Sequence, residues 1–141
     1  MIRRAERPDF PAVLTLLVEA KLPTEGVAEH FQSFFVVDHG GRIVACAGLE
    51  VRGDAALVRS LVVAPDARGT GLGAAVLRRA LHEAHDRPGG VYALTTTAEA
   101  YLSRFGFERV ARESLPAQLF ESRELQDACP SSAAVMKCVW P

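Results

Sequence analysis

Leu61-Val62-Val63-Ala64-Pro65-Asp66-Ala67-Arg68-Gly69-Thr70-Gly71-Leu72-Gly73 is an apolar strand that runs straight into Arg-Gly-x-Gly-x-Gly. An amphipathic helix follows at once. Glycines lack Cβ, so backbone N–H groups can close around an anion. The unpaired amides and positive dipole of the new helix point at the same place. Arg68 adds a fixed positive charge. The stretch predicts a cradle for a phosphate or pyrophosphate. A P-loop would end in Gly-Lys-Ser/Thr; Gly71-Leu72-Gly73 offers neither lysine nor magnesium-binding hydroxyl. The dinucleotide fingerprint spaces its glycines G-x-G-x-x-G, whereas here they alternate. A ligand-free turn is the bland alternative, and it leaves three alternating glycines behind an arginine unexplained.

Downstream of the loop, Leu72, Val76, Leu77, Ala80, Leu81 and Ala84 share one helical face over residues 71–86. Pro88-Gly89-Gly90 ends that helix, and 91–95 reads as a strand. A helix between two strands makes the pair parallel. Upstream, strands at 33–38, 43–51 and 55–63 are joined by His39-Gly40-Gly41-Arg42 and Gly53-Asp54, which predicts antiparallel hairpins. Residues 1–5 read as a short strand, and Pro8-Asp9-Phe10-Pro11 opens a helix. Thr24 is placed to cap a second, short one. A short helix over 98–105, a strand from 106 to 110, helix or loop over 116–128 and a last strand over 132–140 complete the order.

The chain has 141 residues, 49% of them hydrophobic and 23% charged, which suits one globular domain over residues 1–141. The formal net charge of −1 gives a nucleic-acid partner no electrostatic support. No apolar run is long enough for a membrane span, and no signal peptide is read at the N-terminus. Cys46, Cys129 and Cys138 form an odd set without CxxC spacing, as expected of reduced thiols in a cytoplasmic protein. Cys46 sits in an apolar run and reads as core. His82 and His85 do not have HExxH spacing, so no metal site is expected.

The glycine stretch closely resembles motif A of the GCN5-related N-acetyltransferases, V-x-P-x-x-R/Q-G-x-G-x-G/A after an apolar strand. Val63, Pro65, Arg68, Gly69, Gly71 and Gly73 fill it. The resemblance implies an α/β (α+β) fold with a mixed, largely antiparallel sheet, a splayed parallel pair of strands and flanking helices. It also implies acetyl-coenzyme A as co-substrate, without a metal. Its pyrophosphate is expected on Arg68, Gly69, Thr70, Gly71, Leu72, Gly73 and Ala74, and its pantetheine arm along Leu61, Val62 and Val63. The segment from Thr95 to Phe107 resembles motif B, with Ala98 and Phe107 matching. Thr95 stands for the family's asparagine, and Leu102 stands where the family has a tyrosine. Tyr101 is one residue early, about 100° of helix rotation away. It is expected beside the cofactor, with core packing as its alternative, rather than as the thiolate's proton donor.

The implied reaction is attack of a neutral amine on a thioester. It needs orientation, a donor for the oxyanion and a base. An amide near Val62 is the expected oxyanion donor. Glu50, in an apolar strand beside the motif strand, is the expected base; an exposed strand end is its alternative. Arg59 and Ser60 interrupt an apolar strand, and a charge there needs a reason. Arg59 is expected to grip a substrate carboxylate, and Ser60 to relay a proton or hold water. The alternative is that Arg59 reaches the solvated end of the sheet.

Leu22-Pro23-Thr24-Glu25, the run from Leu94 to Glu99 and Cys129-Pro130-Ser131-Ser132-Ala133 resemble arsenic-resistance-associated N-acetyltransferases. Leu-Thr-Thr before a helix and Gly-Phe is also similar to the acetyltransferase domain of N-acetylglutamate synthase. Leu57 departs from that synthase's acidic strand position. Both resemblances imply an amino acid or analogue as acceptor, with Glu25, Arg59, Thr95 and Thr96 around it. The rival readings are a transferase for another small amine and an acetyl-coenzyme A sensor without turnover. Family members are commonly homodimers, and the last strand with Trp140 is the expected contact.

Overall fold

A computed structural model describes residues 1–128 and 132–139. Seven strands among them form one sheet: β1 (Ile2–Arg4), β2 (Phe34–His39), β3 (Arg42–Arg52), β4 (Ala55–Val63), β5 (Gly90–Thr95), β6 (Phe107–Val110) and β7 (Ala134–Cys138). Their order is β1-β2-β3-β4-β5-β7-β6. The β2–β3 hairpin closes on Gly40 and Gly41 at φ +61° and +94°, a left-handed pair that a two-residue turn demands. Only β4 and β5 are parallel, and their pairing runs from Ala55↔Gly90 to Val58↔Ala93. Beyond Val58 the two strands pair no further, so the sheet opens there.

Helix α1 (Phe10–Glu19) packs Val13, Leu16 and Leu17 against β3 and β4. Helix α2 (Val27–His30) is a single turn whose N-cap is Gly26 at φ +83°, so Thr24 does not cap it. Helix α3 (Leu72–Ala84) lays Val76, Leu77, Ala80, Leu81 and Ala84 over β2, β3 and β4. It stops two residues short of the boundary expected from periodicity. Helix α4 (Glu99–Ser103) precedes β6. The segment expected as helix or loop contains a 3-10 turn at Ala117–Glu121 and a π turn at Glu124–Ala128. Leu115 and Leu119 cover Leu57 and Tyr92 in a small second core. Trp140 and Cys129 lie outside the described residues.

The pairing of β3 with β4 shifts once. Between Cys46↔Val62 and Gly48↔Arg59, β3 advances two residues and β4 three. The extra residue makes a bulge in β4. Ser60 there has φ +60°, a left-handed backbone that a non-glycine residue adopts at a cost. The bulge falls just past the point where β5 leaves β4.

Candidate active site

The loop after β4 forms a cradle. Gly69 and Gly71 hold φ +80° and +81°, which favours glycine. Gly71 is the N-cap of α3 and supplies no side-chain cap. The first-turn amides of Leu72, Gly73 and Ala74 therefore have no intrahelical partner. Gly73 has a different reason to be glycine. A Cβ there would stand 3.2 Å from both Tyr101 Oη and Val63 Cγ2, so it permits close approach of helix and strand. Arg68 Nε donates to the Val63 carbonyl at 3.2 Å. Thr70 Oγ1 donates back to the Ala67 carbonyl at 2.7 Å, and Thr70 is not in the groove lining. The groove, of about 620 Å³, runs along Leu61, Val62 and Val63 to Gly71, Gly73, Ala74 and Tyr101.

The strand end beside it has an alternating backbone. Ala64 N–H donates to Val44 C=O at 2.8 Å. In an antiparallel ladder such bonds recur every second residue. The Val62 amide therefore also faces β3, opposite Cys46. The amides of Leu61 and Val63 face the opened side. The expected donor near Val62 is thereby narrowed: Val62's own amide faces β3, whereas Leu61 and Val63 have the free direction.

A buried ionic network fills the other side of the bulge. Arg59 and Glu50 are 3% and 0% exposed. Arg59 Nη1 donates to Glu50 Oε1 at 2.5 Å, and Arg59 Nε donates to Ser60 Oγ at 3.1 Å. Arg59 Nη2 reaches the Pro23 carbonyl at 3.4 Å. Ser122 Oγ donates to Glu50 Oε1 at 3.0 Å, and Arg52 Nε to Glu50 Oε2 at 3.3 Å. Burial holds the His30 imidazole below its ordinary pKa; its Nε2 lies 3.4 Å from Arg52 Nη2 and 3.7 Å from Glu50 Oε2. Glu50 is thus neither an exposed strand end nor open to a substrate. Arg59 does not reach solvent either. Its guanidinium is committed to Glu50, Ser60 and Pro23, which leaves little of it for a substrate carboxylate.

Glu124, in the segment expected as helix or loop and not expected at the site, is 4% exposed. Its Oε2 lies 3.4 Å from Arg59 Nε. Burial pushes its carboxyl up to about 7, with the Arg59 charge opposing and the Glu50 and Glu25 charges reinforcing the rise. Glu124 lines a cavity of about 560 Å³ between the opened strands, together with Lys21, Arg59, Ser60, Leu61, Thr95, Thr96 and Ala98. Thr95 Oγ1 accepts the Ala98 and Thr97 amides at 2.7 and 3.3 Å, so it starts the turn into α4 while facing the cavity. Glu25 is exposed and outside the lining. Cys46 donates its thiol to the Ser60 carbonyl at 3.3 Å, and burial pushes that thiol up to about 12. It is core, as expected. No group of His, Cys, Asp and Glu among the described residues could hold a metal ion. No described helix is long and apolar enough to cross a membrane.

Residues 30–109 match the Acetyltransferase (GNAT) domain family. The chain belongs to that family. As a GNAT domain it is an acyltransferase, and a curated relative agrees. It is 31% identical over 134 residues to an amino-acid acetyltransferase of Mycobacterium tuberculosis, covering 86% of this chain and 75% of the relative. Among solved structures it is similar to Rv2747 of Mycobacterium tuberculosis in complex with CoA and NLQ. That match has 27% identity, a TM-score of 0.82, and spans 100% of this chain and 99% of the other. It also shares its fold, at 22% identity and a TM-score of 0.81, with N-acetylglutamate synthase from Neisseria gonorrhoeae complexed with coenzyme A and N-acetyl-glutamate. There it covers 98% of this chain but spans only 34% of that longer chain.

Proposed function

We propose that this GNAT domain moves the acetyl group of acetyl-coenzyme A to the α-amine of an amino acid or close analogue, by direct attack in a ternary complex. One observation carries the reading. The cradle groove and the cavity between β4 and β5 meet at one strand end and share Leu22, Leu61 and Ala98. A cofactor with its pyrophosphate on the first turn of α3 and its arm along Leu61 and Val63 delivers its thioester to that junction. The acceptor enters from the cavity side. The relatives named for amino-acid acetylation and the relative solved with CoA support both halves.

Leu61 N–H is the donor for the oxyanion of the tetrahedral adduct, because it faces the opened side next to the bulge. Ser60 holds Arg59 through its Oγ and keeps its own O–H free for a water. Lys21 stands on the cavity lining beside Leu22, and its ammonium makes no hydrogen bond or ion pair among the described residues. It is the cation suited to an acceptor's α-carboxylate, with the Thr95 and Thr96 hydroxyls orienting it. The chain's own contribution is thus orientation at the junction and a preformed oxyanion donor.

A thiol-release assay tests the reading: acetyl-coenzyme A against a panel of amino acids, arsenical and phosphorus analogues, their amides, polyamines and aminoglycosides. Release with amino acids and analogues that carry an acidic group, and much less with the amides, is the expected result. Binding of acetyl-coenzyme A with no release across the panel would favour a sensor. Release only with polyamines or aminoglycosides would overturn the acceptor class.

A further inference from the structure

We infer that Glu124 is the general base that frees the acceptor amine, with Arg59 as its positioning residue; this rests on the acetyl-transfer reading above. Glu124 is the one acidic side chain among the described residues lining the cavity between β4 and β5. That cavity contains Leu61 and Ala98, where it meets the cofactor groove. Glu50, the other buried carboxylate, is not in the lining, and both its oxygens are engaged by Arg59, Ser122 and Arg52. A proton from an amine in the cavity therefore has Glu124 to go to.

Glu124 is held at its backbone and at its carboxylate. Its backbone N–H donates to Ser122 Oγ at 3.2 Å, while Ser122 Oγ donates to Glu50 Oε1 at 3.0 Å. Glu50 grips Arg59, and Arg59 Nε returns to Glu124 Oε2 at 3.4 Å. The ring Ser122–Glu50–Arg59–Glu124 closes on itself. It explains why a charged pair lies in the middle of an apolar sheet: Glu50 anchors Arg59, and Arg59 steers the base.

The charged groups around Glu124 are Arg59 from β4, Glu50 from β3, Glu25 from the loop before α2, and Lys21 on the cavity lining, with His30 and Arg52 behind Glu50. Burial, the largest influence, brings the carboxyl to about 7. A base poised near neutrality matches the requirement for general catalysis at that pH.

The step balances as follows. Glu124 carboxylate takes one proton from the acceptor's ammonium, directly or through one water, and becomes a carboxylic acid. The neutral amine forms a C–N bond to the thioester carbon, and the carbonyl π pair moves onto oxygen at Leu61 N–H. Collapse breaks the C–S bond. The second proton of the attacking nitrogen leaves with the coenzyme A thiolate as thiol, and Glu124 returns its proton to solvent.

The test is the pH–rate profile of Glu124→Gln and Glu124→Asp beside wild type, with acetyl-coenzyme A affinity measured by calorimetry. Wild type should show an acidic limb in kcat/KM near pH 7. Glu124→Gln should lose about 100-fold in kcat, keep its cofactor affinity within about twofold, and lose that limb, its rate following the free amine instead. Glu124→Asp should keep a limb at a lower rate, and it decides the matter if the glutamine variant does not fold. A limb and rate unchanged in a folded Glu124→Gln would overturn the base assignment and leave acetyl transfer intact. A wild type that releases no thiol overturns the transferase reading, and this assignment with it.

Discussion

Gly26 leaves no room for a side chain beside Arg59: a Cβ there would stand 2.9 Å from Arg59 Nη1, on a backbone at φ +83°. Glu50 Oε1 would lie 3.6 Å from the same Cβ. The loop before α2 thus presses directly on the ion pair that organises the cavity. Gly26→Ala must pay for the left-handed backbone and must also move the guanidinium. We expect a loss of about 1–3 kcal/mol in urea denaturation and a fall in kcat larger than any change in acetyl-coenzyme A affinity. A variant as stable and active as wild type would show that Arg59 has slack the geometry denies.

The Arg59–Glu50 pair is fully buried, so its two halves depend on each other. Arg59→Met removes the cation at 2.5 Å and leaves Glu50 with Arg52, Ser122 and the more distant His30. Stranding a buried carboxylate typically costs about 3–5 kcal/mol. Adding Glu50→Gln should recover most of that stability, because a neutral amide is far cheaper to bury. Activity should not recover with it, since Glu124 has lost its partner. A double-mutant cycle by urea denaturation checks the coupling; additive losses would deny it.

Gly71 and Gly73 separate conformation from space. At Gly71 a Cβ meets nothing within 4 Å, so Gly71→Glu disturbs the fold by only about 1 kcal/mol for its φ of +81°. Its carboxylate then sits where the anion belongs, and we expect acetyl-coenzyme A affinity to fall by about 100-fold, or ~2.7 kcal/mol. Gly73→Ala has the opposite profile. It crowds Tyr101 Oη and Val63 Cγ2 at 3.2 Å, so stability and affinity should fall together and modestly. Calorimetry on folded variants decides; unchanged affinity in Gly71→Glu would remove the phosphate from this loop.

Glu124 also leaves a mark on stability. Its carboxyl is raised to about 7, against an ordinary 4.5, chiefly by burial. A raised pKa means that the folded state binds this proton more tightly than the unfolded state. The resulting stabilisation is complete below about pH 4.5 and is lost as pH rises through about 7. Glu124→Gln removes that dependence. We expect wild type to lose ~3 kcal/mol relative to the variant between pH 4.5 and pH 8, an upper figure from the shift in pKa. Parallel stability curves for the two proteins would place this carboxyl in the ordinary range.

The strand-to-helix run from Leu61 to Gly73 was legible because it is local. Strand, loop and helix follow one another within a few turns of chain, and alternating glycines can serve few backbone shapes. The hairpin at Gly40-Gly41 and the apolar face of α3 were readable for the same reason. The roles of Arg59 and Glu50 were not. Each can be read as a substrate-facing group when taken alone, because nothing in the spacing shows the register that sets Gly48 opposite Arg59 and Glu50 opposite Leu57 and so puts the two side chains on one face. Which amide near Val62 is free was not legible for a related cause: the pairing of Ala64 with Val44 and of Val62 with Cys46 sets which amides face β3, and register is a property of the pair of strands.

The sequence by itself determined the cradle, the helix behind it, the succession of strands along the chain and thereby membership of the GNAT family. These depend on residue type and short-range periodicity, which the chain carries in linear order. Only the tertiary structure decided which carboxylate meets the cavity. Glu50 and Glu124 are 74 positions apart and come together through Arg59, where β3, β4 and the segment after Leu119 meet. Burial then acts on each according to its partners: Glu50, gripped by two arginines and a hydroxyl, is held in place, while Glu124, with one longer contact, keeps a proton to exchange. That difference comes from packing, and no pattern in either residue's neighbours along the chain contains it.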